Sequence, residues 1–123
     1  MYNLKIVTGF AAAHNLRNYK GKCENLHGHN WKVEVEMSSQ KLNNIGLSMD
    51  FKELKSGTEF VIDELDHHYL NELPPFNEIN PSSENIAQYI YGRLKKKFEK
   101  YEDIQIYKVT IWESDSACAS YYE

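Results

Sequence analysis

A strict alternation of apolar and polar residues from Asn30 to Met37 constrains the fold more than any other feature of the sequence. One series of positions carries Trp31, Val33, Val35 and Met37, and the intervening series carries Lys32, Glu34 and Glu36. Successive side chains of a β-strand point to opposite faces of its sheet, so this pattern predicts a strand with one buried and one solvated face. The chain therefore has to build a sheet and cover one side of it.

Three other segments also predict strands. The first places Leu4, Ile6, Thr8 and Phe10 at alternate positions and leads into Ala11-Ala12-Ala13. The other two run from Ile104 to Glu113 and, after a turn at residues 114–116, from Ala117 to Tyr122. Alternation of this kind is the main sequence signal of a half-buried strand.

Two segments between these strands have helical spacing. Asp50 is placed to cap a first helix that ends near Asp66, and Ser82 or Ser83 to cap a second helix that ends at about Lys100. The apolar faces of the two helices consist of Phe51, Leu54, Thr58, Val61 and Leu65, and of Ile86, Ile90, Leu94, Phe98 and Tyr101. A proline-containing loop between residues 74 and 81 separates the helices.

The element order ββααββ indicates an α+β fold in which two helices cover one face of a four-stranded antiparallel sheet. The 123 residues fit one domain, residues 1–123, with no linker. Such a sheet has two open edges, and pairing of edges between chains is a natural way to satisfy them. The sequence therefore favours a homo-oligomer.

Charge and composition argue against several classes of function. The formal net charge is −4 and the isoelectric point is about 5.7, whereas a nucleic-acid partner requires a basic face. No apolar run approaches the roughly 18 residues of a membrane span, and the N-terminal residues lack the pattern of a secretory signal. Cys23 and Cys118 are too few for a disulfide framework. We expect a soluble, cytoplasmic protein with free thiols and no membrane partner.

Three histidines have the spacing of a metal site. His27 and His29 flank Gly28 just before the second strand, so in extended backbone their side chains project from the same face. His14 has the parity of the buried side of the first strand, so it can join them from the neighbouring element. Imidazole nitrogen suits zinc, and three protein ligands leave a fourth position for water or substrate. The sequence therefore predicts a catalytic zinc site, against the alternative of ordinary packed histidines.

Cys23 lies four residues before His27, and this spacing leaves two roles open. As a fourth ligand it would close the zinc shell, and the protein would be a structural zinc-binding module. Away from the metal it would be a base or a nucleophile, with its thiolate favoured by nearby positive charge. Cys118 lies among small residues in the final strand, and we expect it to be packed and inert.

Two carboxylates complete the candidate functional residues. Asp66 precedes His67 and His68 after the first helix, and an Asp-His pair suits general acid/base catalysis, although surface capping explains the same pattern. Glu113 has the parity of the apolar face of its strand, so it needs donors to offset its desolvation. A flat heterocycle with adjacent N–H groups would supply them. A salt bridge or an exposed strand end is the alternative.

Six short motifs occur in an order that resembles a known enzyme family. They are Phe10-Ala-Ala-Ala-His14, Cys23-Glu-Asn-Leu-His27-Gly-His29, Met49-Asp-Phe, Leu65-Asp-His67, Pro81-Ser-Ser-Glu84-Asn and Trp112-Glu113. Together they resemble 6-pyruvoyltetrahydropterin synthase and its bacterial relative 6-carboxytetrahydropterin synthase. The resemblance implies the tunnelling (T) fold, a four-stranded antiparallel sheet with two helices, assembled as trimers that pair into hexamers.

The resemblance also implies roles for the candidate residues. The zinc ligands that it implies are His14, His27 and His29. Cys23 becomes the catalytic base rather than a ligand, and Asp66 and His67 match the family's proton-relay pair. Glu113 matches the glutamate that holds the amino group and the ring N–H of the pterin. The basic residues that could meet a triphosphate, or that form a solvated loop, are Arg17, Lys20 and Lys22.

The activity implied is a zinc-dependent lyase reaction on 7,8-dihydroneopterin triphosphate. Three residues separate Cys23 from His27, which is similar to the branch that forms 6-carboxy-5,6,7,8-tetrahydropterin for queuosine and releases acetaldehyde and triphosphate. The pyruvoyl branch has a longer insertion. Glu24 matches a third branch, in which a glutamate replaces the cysteine and the product is 6-hydroxymethyldihydropterin, but we expect Glu24 to face solvent or a neighbouring subunit. A His₃-zinc hydrolase, which needs no Glu113 anchor, is the alternative from outside the family.

Overall fold

Two long antiparallel strands form the centre of the sheet. The computed structural model describes residues 1–123, in which β1 (Tyr2–His14) and β2 (His27–Ser39) pair along their full lengths. The predicted alternation in β2 is confirmed, since Trp31, Val33, Val35 and Met37 are all buried. Both strands extend beyond their predicted limits, and the extension of β2 brings His27 and His29 into the sheet.

The sheet contains one strand more than predicted. β4 (Gln105–Ser114) pairs antiparallel with β2, and β5 (Ala117–Tyr121) pairs antiparallel with β4. The two-residue strand β3 (His68–Tyr69) lies parallel to β1, giving the order β3-β1-β2-β4-β5. The prediction of four antiparallel strands is therefore wrong in this detail, because two residues are too short to carry a periodic signal.

Both helices begin where the sequence predicts. α1 (Phe51–Ile62) is capped by Asp50, whose carboxylate accepts the Lys52 N–H at 2.8 Å. α2 (Ser83–Lys97) is capped by Ser82, whose hydroxyl accepts the Asn85 N–H at 3.1 Å. Both helices end earlier than predicted. Turns in which an N–H donates to the carbonyl three residues before it replace the last predicted helical turn. A turn of 3₁₀-helix (Leu70–Glu72) follows β3.

The two helices cover one face of the sheet, which confirms the α+β class. Their buried side chains, among them Leu54, Val61, Ile86, Ile90 and Leu94, join the inward residues of β1, β2 and β4 in one core. Phe51, predicted on the apolar face of α1, is instead exposed at the first turn. No helix of the structure combines the length and apolar character needed to cross a membrane.

The opposite face of the sheet is polar and carries ion pairs across strands. The Lys5 ammonium lies 3.5 Å from the Glu34 carboxylate, and the Lys108 ammonium lies 3.3 Å from that of Glu36.

Cys118 lies opposite Trp112 in the β4–β5 pair, and both cysteines are free and exposed. The expectation that Cys118 is packed is therefore wrong, because it lies on an edge strand rather than against the helices.

Candidate metal centre and active site

The strand register brings the three predicted histidines together at one end of the buried sheet face. His14 lies directly opposite His27, and His29 follows two residues later on the same face. The ring centroids are 4.6 Å apart for His14 and His27, 4.7 Å for His27 and His29, and 5.2 Å for His14 and His29. The Trp31 ring meets His14 and His29 edge-on at 4.8 and 5.1 Å. A large buried ring thus packs against two of the three imidazoles.

Backbone carbonyls fix the orientation of two of the rings. Nδ1 of His14 donates to the Pro81 carbonyl at 2.8 Å, and Nδ1 of His27 donates to the Asn25 carbonyl at 2.8 Å. Because a carbonyl can only accept, both protons are on Nδ1, and in the neutral rings both Nε2 atoms carry lone pairs. These two Nε2 atoms lie 3.1 Å apart. Two lone pairs at this separation repel each other unless a cation lies between them.

His29 completes the set of nitrogen donors. Its Nε2 is buried and makes no hydrogen bond. Burial lowers the pKa of His29 below its ordinary value; the negative charge of Glu113 opposes this shift, and the neighbouring imidazoles add to it. A neutral ring with a free Nε2 is the form that binds a metal. The three residues therefore fit zinc, whose catalytic sites are commonly built from three such nitrogens.

Glu113 also lies at this cluster. Its Oε1 is 3.1 Å from Nε2 of His14 and 3.3 Å from Nε2 of His29. One donor atom from each of the four residues falls within 4.8 Å of all the others, so the group could hold a metal ion. The sequence placed Glu113 on the buried face but not at the histidines. That position follows from the β2–β4 register, which pairs Lys32 with Trp112, the residue before Glu113.

Asp66 and His67 form a pair at the outer edge of β1. Oδ1 of Asp66 accepts the Ala11 N–H at 2.9 Å, and Oδ2 lies 3.0 Å from Nδ1 of His67. The Ala11 N–H lowers the pKa of Asp66, and His67 adds to the effect. His67 has a positive φ of 59°, and its own N–H donates to the Ala11 carbonyl at 2.6 Å. The His67 side chain is 82% exposed.

The loop between β1 and β2 carries both candidate bases. Cys23 is exposed and lies outside the group of clustered donors. Glu24 is turned inward: its Oε1 accepts the Leu16 N–H at 3.2 Å and lies 3.9 Å from Nδ1 of His27. The Glu24 N–H also donates to the Leu16 carbonyl at 2.8 Å, and the Glu24 side chain stays 30% exposed. Its expected position toward solvent or a neighbouring subunit stays a prediction.

Arg17 is held by the protein itself. Its guanidinium donates to the carbonyls of Phe76 and Ile79 at 2.7 and 2.8 Å, and its backbone pairs with the Asn80 side chain. These contacts fasten the β1–β2 loop to the loop that precedes α2. The guanidinium is therefore already hydrogen-bonded within the chain, and the ammonium of Lys20 lies 5.5 Å from the Tyr19 ring centroid.

Fold and site together define a small α+β protein with a cluster of three histidines and a carboxylate at the end of a sheet. The chain belongs to the 6-pyruvoyl tetrahydropterin synthase family, whose model matches residues 3–123. Enzymes of this family are pterin synthases with small-molecule substrates.

The relatives that match this chain are named for different activities. The chain is 30% identical over 145 aligned residues to 6-carboxy-5,6,7,8-tetrahydropterin synthase of Haemophilus influenzae, with 100% of both chains covered. It is 34% identical over 106 residues to dihydroneopterin monophosphate aldolase of Pyrococcus furiosus, covering 86% of this chain and 84% of that one. The solved structure of Caenorhabditis elegans 6-pyruvoyl tetrahydropterin synthase matches with a TM-score of 0.86 at 30% identity, covering 99% and 95%. This likeness supports the predicted tunnelling fold.

Proposed function

We propose that the protein is a zinc-dependent lyase that converts 7,8-dihydroneopterin triphosphate into 6-carboxy-5,6,7,8-tetrahydropterin, releasing acetaldehyde and triphosphate. The main support is the convergence of the Nε2 atoms of His14, His27 and His29 beside Glu113. The full-length similarity to the H. influenzae enzyme supports the choice of product. The same proposal includes a role in queuosine synthesis in the cytoplasm and a single domain, residues 1–123. It also includes a homo-oligomer, either a trimer or a dimer of trimers.

The chain's own groups have distinct tasks in this reaction. Zinc held by the three imidazoles would supply Lewis acidity toward the hydroxyls of the substrate side chain. The Glu113 carboxylate would accept hydrogen bonds from the pterin amino group and the adjacent ring N–H, which fixes the ring. Asp66 holds the proton on Nδ1 of His67, so the exposed Nε2 is free to take up or deliver a proton.

Cys23 is the proposed base. The structure leaves its thiol exposed and apart from the clustered donors, which supports a role toward substrate rather than metal. The alternative of a closed structural zinc module requires Cys23 in the cluster. The fourth donor that actually lies there is a Glu113 oxygen.

A second candidate function rests on Glu24. Its carboxylate is held inward by the Leu16 N–H and lies near His27, so it could act as the base in an aldol-type cleavage that gives a 6-hydroxymethylpterin. The similarity to the P. furiosus aldolase supports this alternative. The pyruvoyl product is a further alternative, carried by the C. elegans relative, against which the short Cys23–His27 spacing argues.

Product analysis of two single variants separates these candidates. The zinc-loaded protein is incubated with 7,8-dihydroneopterin triphosphate, and the pterin product is identified by mass while acetaldehyde is trapped and measured. We expect 6-carboxytetrahydropterin from the unmodified protein and its loss in Cys23→Ala, with zinc retained. Cys118→Ala, which removes the other exposed thiol, is the matched control and should keep the product.

A different product pattern in these variants would assign a different reaction to the protein. A dominant hydroxymethylpterin that persists in Cys23→Ala and disappears in Glu24→Ala would establish the aldolase. Loss of zinc in Cys23→Ala would instead support the structural zinc module.

A further inference from the structure

We infer that Asn80 is a positioning residue for His14, on which it acts through the Pro81 carbonyl. The Asn80 side chain holds the loop before α2 against the segment that follows β1, and this contact fixes the carbonyl to which the His14 ring donates. The part of the inference that concerns zinc rests on the proposed function. The part that concerns the orientation of the His14 ring stands on the contacts of the chain alone.

The Asn80 side chain pairs with the backbone of Arg17 as a neighbouring strand would. Its Oδ1 accepts the Arg17 N–H at 2.8 Å, and its Nδ2 donates to the Arg17 carbonyl at 2.9 Å. Arg17 lies beyond the end of β1 at His14, so strand pairing does not supply these bonds. A side-chain amide offers a donor and an acceptor side by side and therefore satisfies both backbone groups of one residue. Asn80 thus joins two segments whose paired residues are 63 positions apart.

The Asn80 backbone is fixed from the other side by α2. Its carbonyl accepts a hydrogen bond from Nδ2 of Asn85 at 2.8 Å, and the Asn85 N–H donates to the capping hydroxyl of Ser82 at 3.1 Å. Pro81 lies between these two anchors, and its ring restricts its own φ to about −65°. The direction of the Pro81 carbonyl therefore depends on the contacts of Asn80 and on the start of the helix.

His14 depends on a distant carbonyl, whereas its neighbour in the cluster depends on a local one. Nδ1 of His14 donates to Pro81, 67 residues away, in a buried hydrogen bond of 2.8 Å. The His14 side chain is only 2% exposed, so water is poorly placed to replace the carbonyl. Nδ1 of His27 instead donates to Asn25, two residues away, in an exposed hydrogen bond. A contact between loops thus orients His14, and only this ring requires the loops to be held together.

A shift of the Pro81 carbonyl would change which nitrogen of His14 is the acceptor. In a neutral imidazole one nitrogen carries the proton and the other a lone pair. The carbonyl holds the proton on Nδ1, so the lone pair is on Nε2, the atom that lies 3.1 Å from Nε2 of His27. Without that carbonyl the proton can move to Nε2, and an N–H at this position cannot bind a metal. Asn80 therefore supports metal binding through the tautomer of His14.

Arg17 provides a matched control, because its side chain links the same two loops by a different route. The guanidinium donates to the carbonyls of Phe76 and Ile79 at 2.7 and 2.8 Å. Arg17→Ala removes these bonds but keeps the backbone groups that pair with Asn80. A purely structural role of Asn80 predicts that both variants lose stability and that both keep the His14 ring in place. A positioning role predicts that only Asn80→Ala alters the ring.

The ring orientation is tested by ¹⁵N NMR of the imidazoles in protein freed of zinc with a chelator, at a pH at which the rings are neutral. The shift of each nitrogen shows whether it carries a proton, and the His14 signals are those missing from His14→Ala. We expect protonated Nδ1 in the unmodified protein and in Arg17→Ala, and a proton shared between both nitrogens in Asn80→Ala. Zinc affinity by chelator competition should fall about 10–100-fold in Asn80→Ala and less than about threefold in Arg17→Ala.

Asn80→Asp is the second variant if Asn80→Ala does not fold, because its carboxylate still accepts the Arg17 N–H but cannot donate to the carbonyl. Unchanged His14 signals in the Asn80 variant would overturn the inference. Equal losses of zinc affinity in Asn80→Ala and Arg17→Ala would also overturn it, because they would reflect a general loosening of the loops. If the unmodified protein binds no zinc, the proposed function fails, and the NMR comparison still decides whether Asn80 orients His14.

Discussion

The hydroxyl of Tyr69 donates to Oδ1 of Asn15 at a distance of 2.6 Å. The same Asn15 side chain donates through Nδ2 to the carbonyl of Glu24 at 3.1 Å, and its backbone exchanges hydrogen bonds with the Asn71 side chain. One asparagine therefore connects the segment that follows Asp66 to the loop that carries both candidate bases. This contact thus ties the segment that carries Asp66 and His67 to the loop that carries Cys23 and Glu24.

Tyr69→Phe should loosen the base-carrying loop without affecting the metal site. Loss of one neutral hydrogen bond is expected to cost about 1 kcal/mol of stability. We expect faster amide exchange in the 16–26 segment, roughly tenfold lower kcat and unchanged zinc content. Tyr89→Phe is the control, because the Tyr89 hydroxyl contacts Glu64 instead. Equal amide exchange rates in this loop for both variants would show that Asn15 anchors the loop without the hydrogen bond from Tyr69.

Features that depend on local periodicity could be predicted from the sequence. Side-chain parity along a strand is a property of consecutive residues, so the convergence of His27 and His29 and the matching parity of His14 follow from spacing alone. Helix caps are local in the same sense, and Asp50 and Ser82 occupy the predicted cap positions.

Features that depend on contacts between distant segments could not be predicted. The strand β3 exists because Asp66 and His67 bond to Ala11, which is 55 residues from Asp66. The inward turn of Glu24 depends on a hydrogen bond to Leu16 across a folded loop, and the role of Arg17 depends on carbonyls about 60 residues away. No strand periodicity fixes the direction of the Glu24 side chain, because residues 23–26 are not part of a strand.

Arg17→Ala should lower stability rather than affinity for the triphosphate. Charged hydrogen bonds to carbonyls contribute about 1.5–3 kcal/mol each when buried, and partial exposure here reduces the expected loss to about 1–3 kcal/mol in total. Urea unfolding measures the loss, and KM for 7,8-dihydroneopterin triphosphate should change less than about threefold. The control Lys20→Ala should leave stability unchanged. A large rise in KM with unchanged stability would indicate instead that Arg17 binds the triphosphate.

His29→Ala should abolish stoichiometric zinc binding. We expect one zinc per chain in the unmodified protein, by metal analysis after purification. Removing a ligand should cost more than the 10–100-fold typical of altering a residue that only supports a ligand. His68→Ala is the matched control, because His68 is exposed and its Nδ1 donates to the Asp66 carbonyl instead. A full zinc complement in His29→Ala would refute the three-histidine site.

Asp66→Asn should reveal a contribution to stability that depends on pH. The Ala11 N–H and His67 lower the pKa of Asp66 in the folded protein, whereas an unfolded chain has an aspartate pKa of about 3.9. A lowered folded pKa means that the ionised form stabilises the fold above about pH 4, and that this stabilisation is lost as the pH falls through the folded value. Asparagine can still accept the Ala11 N–H but carries no charge at any pH. The unmodified protein should therefore exceed Asp66→Asn in free energy of unfolding at pH 5 to 7, and the difference should vanish in acid. Urea unfolding of both proteins across this range provides the measurement, and a difference that grows toward acid would contradict the assignment.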